Sequence, residues 1–499
     1  MSYAVEPDVL ESGCDMVRRV IIVGGGTAGW MTAASLSHQL RHLSLDITLV
    51  ESSDIGTVGV GEATVPAIRD YFRSIDLDIG EVLQEAKGTI KLGIEFTDWK
   101  AAGHSFFHPF GMYGVPAGDV GFHHIWHRLR QLGDKADLSE YNLCTQMALN
   151  RRFAKPPVQP RVAFEAYDWA IHFDAGLFAK LLRKKAEANG VSRLDALIET
   201  VSVGGNGHVD HLYLSDGRKL EGDLFIDCSG FRAIVIQKAL GTGFEDWTHW
   251  LPCDRAVAIP CEASEDLVPY TRARAQSAGW TWRIPLQHRV GNGYVYSSEY
   301  LSAEAAEGAL RAQLEGQALA DANHIRFTTG HAKRIWNGNC IAIGLSAGFL
   351  EPLESTSLVL VQNGIEKLIR LFPETGFKPA VIDEYNRSST LEYERIRDFI
   401  ILHYWASQRP EAFWKKFKGM TLPDTLSHKI EVFRASGHLV RYEWESFQDP
   451  SWLSMYAGFD IAAYGRDPLA DRYDEAQILS IGRQMRSDIA HRVCLAPPL

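Results

Sequence analysis

The feature that most constrains the fold is an apolar strand followed at once by a glycine-rich turn and a helix. Residues 20–23 form a short apolar run that is typical of a buried parallel strand. Gly24, Gly26 and Gly29 then give the spacing G-x-G-x-x-G, and helical periodicity continues over residues 30–40. In such units the glycines allow a tight turn, close approach of a pyrophosphate and close packing of the helix on the strand. The pattern predicts a Rossmann-type dinucleotide-binding unit.

A second predicted strand, residues 46–52, supports this interpretation. It carries Glu51, 22 residues after Gly29, where a carboxylate can accept hydrogen bonds from ribose hydroxyls. The alternative is a glycine-rich turn with a coincidental acid. No second G-x-G-x-x-G follows a strand, so reducing equivalents are expected from outside the chain, and two further segments favour FAD over NAD. Residues 57–72 and 222–233 are further places where backbone can approach a flat ligand.

Composition excludes several classes of function. The chain has 499 residues, 46% of them apolar, and a net charge of −11, which argues against nucleic acid as a partner. No apolar run approaches the ~20 residues that a membrane span needs. Seven cysteines without a C-x-x-C pair indicate a reducing compartment, and the acidic N-terminus lacks the apolar region of a signal peptide. We expect a cytoplasmic protein without a metal site.

The remaining pattern indicates how the chain is organised. Strands and helices alternate to about residue 260, a strand-rich stretch follows, residues 302–315 are predicted to be helical, and helices dominate from about residue 358. The predicted fold class is α/β, with an FAD-binding doubly wound (Rossmann-type) module of the flavin monooxygenase type and a mainly helical C-terminal module. We divide the chain into residues 1–357, which include an interleaved substrate-side β layer, and residues 358–499, which complete the substrate site.

The sequence GWTWRIP, residues 279–285, places two tryptophans one residue apart. Strand alternation points Trp280, Trp282 and Ile284 to one side, and Pro285 marks the end or the edge of the strand. From these residues alone, core packing is the simplest explanation, because tryptophan buries a large area.

Together the two motifs resemble those of the flavin-dependent halogenases of the tryptophan halogenase family, which carry G-x-G-x-x-G and W-x-W-x-I-P. The resemblance extends through GVGEATVP, AIHFDAG, DLFIDCSG and EPLEST, and weakens after about residue 430. It implies that reduced FAD and oxygen oxidise a halide to hypohalous acid, which reaches a lysine near the organic substrate through an internal tunnel. The implied partners are a small aromatic substrate, a halide ion, O2 and a separate NAD(P)H-dependent flavin reductase that supplies FADH2.

The resemblance assigns the two reactive side chains to Lys91, in GTIKLGIEF, and Glu354, in PLEST. From the residues alone, Lys91 alternates with Ile90 and Leu92, and the usual interpretation is a lysine that faces solvent. The resemblance implies instead a lysine inside the protein, whose pKa desolvation lowers. Glu354 would orient the oxidant or accept the proton of the aromatic ring.

Further positions follow from the resemblance. The implied FAD contacts are Gly24, Gly25, Gly26, Ala28, Gly29, Glu51, Ser52, Glu62, Ile198, Leu345 and Leu358. The implied halide contacts are Thr356 and Ser357, the implied substrate contacts are His108 and Phe110, and Trp280 with Trp282 would form a wall that keeps substrate from the flavin.

The chain departs from the family at two places. Ser357 stands where tryptophan halogenases have glycine, which favours a changed halide preference, towards bromide. The segment RYEWESFQDPSWLSMYAG, residues 441–458, lacks the family's arrangement for the amino-acid part of tryptophan. Indole or another electron-rich aromatic is therefore expected at least as much as free tryptophan.

Three functions remain open at this point. A halogenase that installs bromide or chloride on an indole-like aromatic is favoured, because it uses Lys91, the tryptophan pair and EPLEST together. An FAD-dependent aromatic hydroxylase requires none of these. A non-catalytic FAD-binding redox sensor would leave the lysine and the glutamate without a role.

Overall fold

The computed structural model describes residues 16–55, 61–265 and 267–499. Two expectations concern residues outside this part of the chain. One is the absence of a signal peptide, which rests mainly on the N-terminal segment, and the other is the approach of residues 57–60 to a flat ligand.

Strands and helices alternate in the first half of the chain, and helices dominate the end. The strands are β1 (Arg19–Val23), β2 (Asp46–Glu51), β3 (Gly61–Ala63), β4 (Thr89–Lys91), β5 (Gly93–Thr97), β6 (Ser105–Pro109), β7 (Ala170–Asp174), β8 (Ser192–Asp195), β9 (Ile198–Val203), β10 (Val209–Leu214), β11 (Lys219–Glu221), β12 (Leu224–Asp227), β13 (Phe244–Asp246), β14 (Arg255–Glu262), β15 (Thr271–Gln276), β16 (Gly279–Pro285), β17 (Arg289–Tyr296), β18 (Asn323–Arg326), β19 (Gly330–Ala332), β20 (Trp336–Asn337), β21 (Cys340–Ala342) and β22 (Gly348–Phe349). The α-helices are α1 (Thr27–Gln39), α2 (Ile68–Ser74), α3 (Ile79–Glu85), α4 (Phe122–Gln131), α5 (Leu143–Leu149), α6 (Ala175–Ala188), α7 (Ala303–Arg311), α8 (Ser357–Arg370), α9 (Pro379–Trp405), α10 (Ala412–Lys415), α11 (Asp424–Ser436), α12 (Asp449–Gly458) and α13 (Glu475–Leu495).

The predicted Rossmann-type unit is confirmed. A six-stranded sheet has the order β20-β21-β12-β1-β2-β8, and β1 pairs in parallel with both β2 and β12. Strands β1 and β12 are nearly continuous runs of buried apolar residues, as expected for a parallel sheet covered on both faces. Helix α1 starts directly after the glycine-rich turn.

Two glycines of this turn are required by close contacts. Gly24 has a φ of +109°, and a Cβ there would lie 2.4 Å from the Cys228 carbonyl oxygen. A Cβ on Gly29 would lie 1.9 Å from the Gly24 carbonyl oxygen. Neither contact is possible for a residue with a side chain, so both glycines fix how closely α1 and β12 approach the turn.

A seven-stranded sheet, β18-β14-β17-β16-β15-β5-β6, carries the tryptophan pair at its centre. Strand β16 ends at Pro285, as predicted. Trp282 is paired across the sheet with Gly293, where a Cβ would lie 2.0 Å from the indole ring. This glycine makes room for the second indole on the face of the sheet.

A small sheet, β3-β7-β4, links the two larger ones. Strand β7 pairs antiparallel with β3 on one side and with β4 on the other. Glu62 is opposite Phe173, and Lys91 is opposite Ala170. One strand therefore sets the relative positions of two residues that the resemblance assigned to different parts of the site.

The helical C-terminal part is confirmed, while the division at residue 357 stays a prediction. Helix α9 is 27 residues long and buries most of its second half, including His403 and Tyr404. Helix α7 falls within the predicted span 302–315 but ends at Arg311. Within the described ranges, none of the helices is both long and apolar enough to cross a membrane.

Candidate active site

A cavity of about 530 Å³ lies at the carboxyl ends of the central strands of the parallel sheet, which is where open α/β sheets bind their ligands. It is lined by most of the residues assigned to FAD: Gly24, Gly25, Gly26, Ala28, Glu51, Ser52, Glu62, Ile198, Leu345 and Leu358. Trp280, Trp282 and Ser357 also line it, whereas Gly29 and Thr356 do not. Gly29 packs α1 against the turn instead.

The glycine-rich turn is shaped to receive a flat, extended ligand. A Cβ on Gly26 would meet nothing within 4 Å, so this backbone faces open space in the cavity. A Cβ on Gly25 would lie 1.5 Å from Glu51 Oε2, so the missing side chain lets the carboxylate reach the turn. The residues present thus fit a dinucleotide, with the N-terminus of α1 available to phosphates.

Arg193 is a neighbour of this site that sequence reasoning missed. Its Nε donates to Glu51 Oε1, and its Nη2 lies 3.0 Å from Asp195 Oδ2. The residue is on β8, which pairs with β2 in parallel, so Arg193 reaches Glu51 across the sheet edge. An arginine in a strand pattern carries no local signal for such a contact.

Glu62 presents its carboxyl group to the same cavity. Burial raises its pKa to about 7, because a charged carboxylate is disfavoured in a medium of low polarity. A group of this acidity can hold or release a proton near neutral pH beside a bound cofactor.

Lys91 is fully buried, and the solvent-facing interpretation is wrong. Its Nζ donates to the Thr64 carbonyl oxygen at 2.8 Å and to Ser355 Oγ at 2.7 Å. The ring centroid of Phe110 lies 5.2 Å from the same nitrogen. Alternation along β4 could not reveal this, because the covering turn that contains Ser355 comes 264 residues later in the chain. Burial lowers the pKa of Lys91 to about 7, although nearby Glu354 opposes the shift.

Glu354 is buried between two histidines. Its Oε2 lies 2.8 Å from His108 Nδ1, and its Oε1 lies 2.8 Å from His403 Nε2. Burial alone would raise the pKa of this carboxyl, but the two histidines outweigh burial and lower it to about 2. The carboxylate is therefore ionised at every physiological pH.

His403 is a site residue that sequence reasoning missed. Its Nδ1 lies 2.8 Å from the Phe399 carbonyl oxygen, which can only accept, so Nδ1 carries a hydrogen. The bond between Nε2 and Glu354 then requires one more proton shared by the two groups. The available signal was a lone histidine in the apolar run FIILHYW, because a buried polar group needs a partner.

The turn that carries Glu354 also joins the cavity to Lys91. Ser355 lines the cavity, and its hydroxyl contacts the lysine amine. Its φ of +60° places it in the left-handed region, directly before α8. Ser355 is thus in contact with both the cofactor cavity and the buried amine.

Thr356 and Ser357 lie at the N-terminus of the 14-residue helix α8. The first N–H groups of a helix lack partners within the helix, and they favour an anion. Thr356 Oγ1 is buried and has no hydrogen-bond partner among the described residues. This turn therefore has both charge and donors for a small anion.

Aromatic rings surround the two residues assigned to the substrate. His108 is buried and Phe110 is half-buried. Phe399 and Phe447 stack with centroids 3.9 Å apart, and their centroids lie 5.8 and 6.3 Å from that of His108. In the part of the chain that the structure describes, no cluster of His, Cys, Asp or Glu could hold a metal ion.

The structure thus has the dinucleotide cavity of a doubly wound sheet, and beside it a buried amine and a buried carboxylate. A family model described as tryptophan halogenase matches residues 19–475, and the chain belongs to the tryptophan halogenase family. It is a flavin-dependent halogenase, whose cofactor is FADH2 supplied by a separate flavin reductase.

Relatives with known names support this membership. The chain is 38% identical over 438 residues to the 7-chloro-L-tryptophan 6-halogenase KtzR of Kutzneria sp. (strain 744), which covers 83% of this chain and 84% of KtzR. The structure of BrvH, a flavin-dependent halogenase from Brevundimonas sp. BAL3, matches with 46% identity, a TM-score of 0.93 and 97% coverage of both chains. Xcc4156, a flavin-dependent halogenase from Xanthomonas campestris, matches with 42% identity and the same TM-score and coverage.

The contacts of the glycines generate a first prediction. We expect Gly26→Ala to fold with an unchanged melting temperature, because its Cβ meets no atom, and to bind FAD about tenfold more weakly, because the pyrophosphate loses its close approach. Gly29→Ala, the matched variant, should lower the melting temperature, because its Cβ collides with backbone. Flavin fluorescence titration and thermal unfolding measure both. Unchanged FAD affinity of Gly26→Ala would contradict the assignment.

The burial of Lys91 generates a second prediction. We expect Lys91→Met to raise the melting temperature by about 2 °C or more near pH 7, because an apolar side chain avoids the cost of burying an amine. The pKa of Lys91 is about 7 in the folded protein and about 10.4 in the unfolded chain. The wild type therefore gains stability as pH rises between these values, and the advantage of the variant should be largest below pH 7. A lower melting temperature of the variant at all pH values would show that the amine is stabilising.

Proposed function

We propose that this halogenase installs bromide or chloride on an electron-rich, indole-like aromatic substrate, with hypohalous acid relayed to Lys91. The observation that carries the proposal is the contact of the Lys91 amine with Ser355, which lines the cofactor cavity. Ser355 thus contacts both the cavity in which an oxidant would form and the amine. Bound FADH2 supplies the electrons that, with O2, oxidise the halide.

Halide binding is assigned to the turn at Thr356 and Ser357. The N-terminus of α8 offers backbone donors, and the unpartnered Thr356 hydroxyl adds one more. Ser357 faces the cavity, so an anion held there would lie beside the cofactor.

Trp280 and Trp282 would keep the organic substrate away from the cofactor. Both line the cavity, with ring centroids 6.0 Å apart and planes inclined by 55°. Two rigid indoles leave room for an ion or a small oxidant but obstruct an aromatic substrate. This wall favours halogenation over direct hydroxylation.

Lys91 and Glu354 would act on the oxidant and the substrate. With a pKa of about 7, Lys91 is available both as an amine, which can take the halogen and release water, and as an ammonium, which can donate a hydrogen bond to hypohalous acid. Glu354, which the two histidines keep ionised, would orient the substrate ring or the oxidant and accept the ring proton. The proton shared with His403 gives that carboxylate a neighbour for proton transfer.

The central experiment is one reaction with matched variants. Purified protein, FAD, a flavin reductase with NADH, oxygen, indole and bromide or chloride are combined, and products are read by mass spectrometry. We expect a halogen isotope pattern that disappears in Lys91→Ala and persists in Lys184→Ala, since Lys184 is exposed. Glu354→Gln should lower the rate about 100-fold, because an amide cannot accept the ring proton.

The outcomes separate the alternatives. A product heavier by one oxygen in place of halogen would identify a hydroxylase. Flavin oxidation without organic product from indole and larger aromatics would support a redox role. Halogenation retained in Lys91→Ala would contradict the relay.

Halide preference generates a further prediction. We expect Ser357→Gly to lower the bromide-to-chloride product ratio several-fold in an equimolar competition. Glycine would let the backbone N–H groups of α8 approach an anion more closely, and the more strongly hydrated chloride needs those contacts more. Ser302→Gly, at the N-cap of α7, is the control and should leave the ratio unchanged. The same ratio in both variants would remove Ser357 from the halide site.

A further inference from the structure

A second buried glutamate lies three residues before Glu354. Glu351 is fully buried, and its Oε2 accepts a hydrogen bond of 2.8 Å from the Trp280 indole nitrogen. The Tyr404 hydroxyl donates to the same oxygen. Oε1 has no partner among the described residues. Burial raises the pKa of Glu351 to about 7, although both donors oppose the shift.

The two glutamates bind neighbouring residues of one helix. Glu354 contacts His403, and Glu351 contacts Tyr404, the next residue on α9. The turn that positions the reactive carboxylate thus also reaches the tryptophan wall. Through this turn and α9, the wall and the Lys91 side of the site are parts of one hydrogen-bonded unit.

The orientation of Trp280 needs such a contact. The indole is buried, with its ring centroid 6.4 Å from that of Trp99 and 6.0 Å from that of Trp282. The hydrogen bond from its only N–H group to Glu351 adds a directional contact that apolar packing does not supply. Burying a carboxyl group for this purpose costs free energy. A neutral hydrogen-bond acceptor would therefore suffice at this position if packing of the indole were the only requirement.

We propose that Glu351 is a positioning residue that holds the Trp280 indole as a closed wall between the cofactor cavity and the substrate side. The inference rests on the proposed halogenase function. It adds to that function a residue, Glu351, that keeps the oxidant directed to Lys91. Without Glu351 the indole turns, and oxidising equivalents leave as hydrogen peroxide before the halide is oxidised, or as free hypohalous acid after it, instead of reaching the substrate.

The activity test compares the variants by the fraction of oxidised FADH2 that leads to halogenated product. For each variant, halogenated product, hydrogen peroxide and free hypohalous acid are measured per FADH2 oxidised. We expect Glu351→Leu to lower product per FADH2 about tenfold, the order expected when a hydrogen bond to a charged group is lost, with peroxide and free hypohalous acid together rising to match. Glu351→Gln keeps an acceptor for Trp280 and should restore the wild-type ratio. Tyr404→Phe leaves the Trp280 bond intact and should also keep it.

A double variant tests whether Glu351 acts through the indole. Trp280→Phe removes the N–H group, so adding Glu351→Leu to it should cause no further loss of product per FADH2. Additive losses would overturn the proposal. So would a Glu351→Leu variant that loses stability or total flavin oxidation while its product ratio stays at the wild-type value, because that result indicates a merely structural residue.

An activity-independent readout separates this inference from the proposed function. In protein labelled with ¹⁵N-tryptophan, the Trp280 indole signal is identified by its loss in Trp280→Phe. We expect this signal to move in Glu351→Leu and to stay close to its wild-type position in Glu351→Gln. Absence of halogenation by the wild type would refute the proposed function. An unmoved signal in Glu351→Leu would instead refute the role of Glu351 in positioning Trp280.

Discussion

The site depends on the contact that the Lys91 amine makes with the turn from Glu351 to Ser357. An amine buried away from water needs partners, and here a backbone carbonyl and the Ser355 hydroxyl supply them. The same turn lines the cofactor cavity, carries Glu354 and starts α8. Moving the turn would therefore disturb the amine, the carboxylate and the N-terminus of α8 together.

Three equally buried ionisable groups around this turn differ in protonation because their partners differ. Lys91 and Glu351 have few compensating charges, so burial brings the pKa of each to about 7, from above and from below respectively. Glu354 is equally buried, yet two histidines lower its pKa to about 2. One small region thus holds two groups that change protonation near neutral pH beside one that stays ionised.

The sequence pattern predicted those parts of the fold that depend on residues close together in the chain. The strand, the glycines and α1 follow from apolar periodicity and steric requirements, and Pro285 ends β16 because proline cannot continue a ladder. Alternation failed at Lys91, because the segment that covers β4 is distant in the chain. His403, Arg193 and Glu351 were missed for the same reason, since their partners are on other elements. Only the resemblance to a family pointed to the buried lysine.

The pairing of β7 with both β3 and β4 has a consequence for how this enzyme can change over evolution. Glu62 and Lys91 face positions three residues apart on β7, an offset of about 10 Å along the strand. Hydrogen-bonded ladders hold that offset, so β7 fixes the distance between the cofactor cavity and the amine that we propose receives the oxidant. Selection for bulkier substrates cannot lengthen this offset without breaking the hydrogen bonds between β7 and its two neighbouring strands. Changes in substrate during evolution are therefore left to side chains and to the helical segments on the far side of the Lys91 amine.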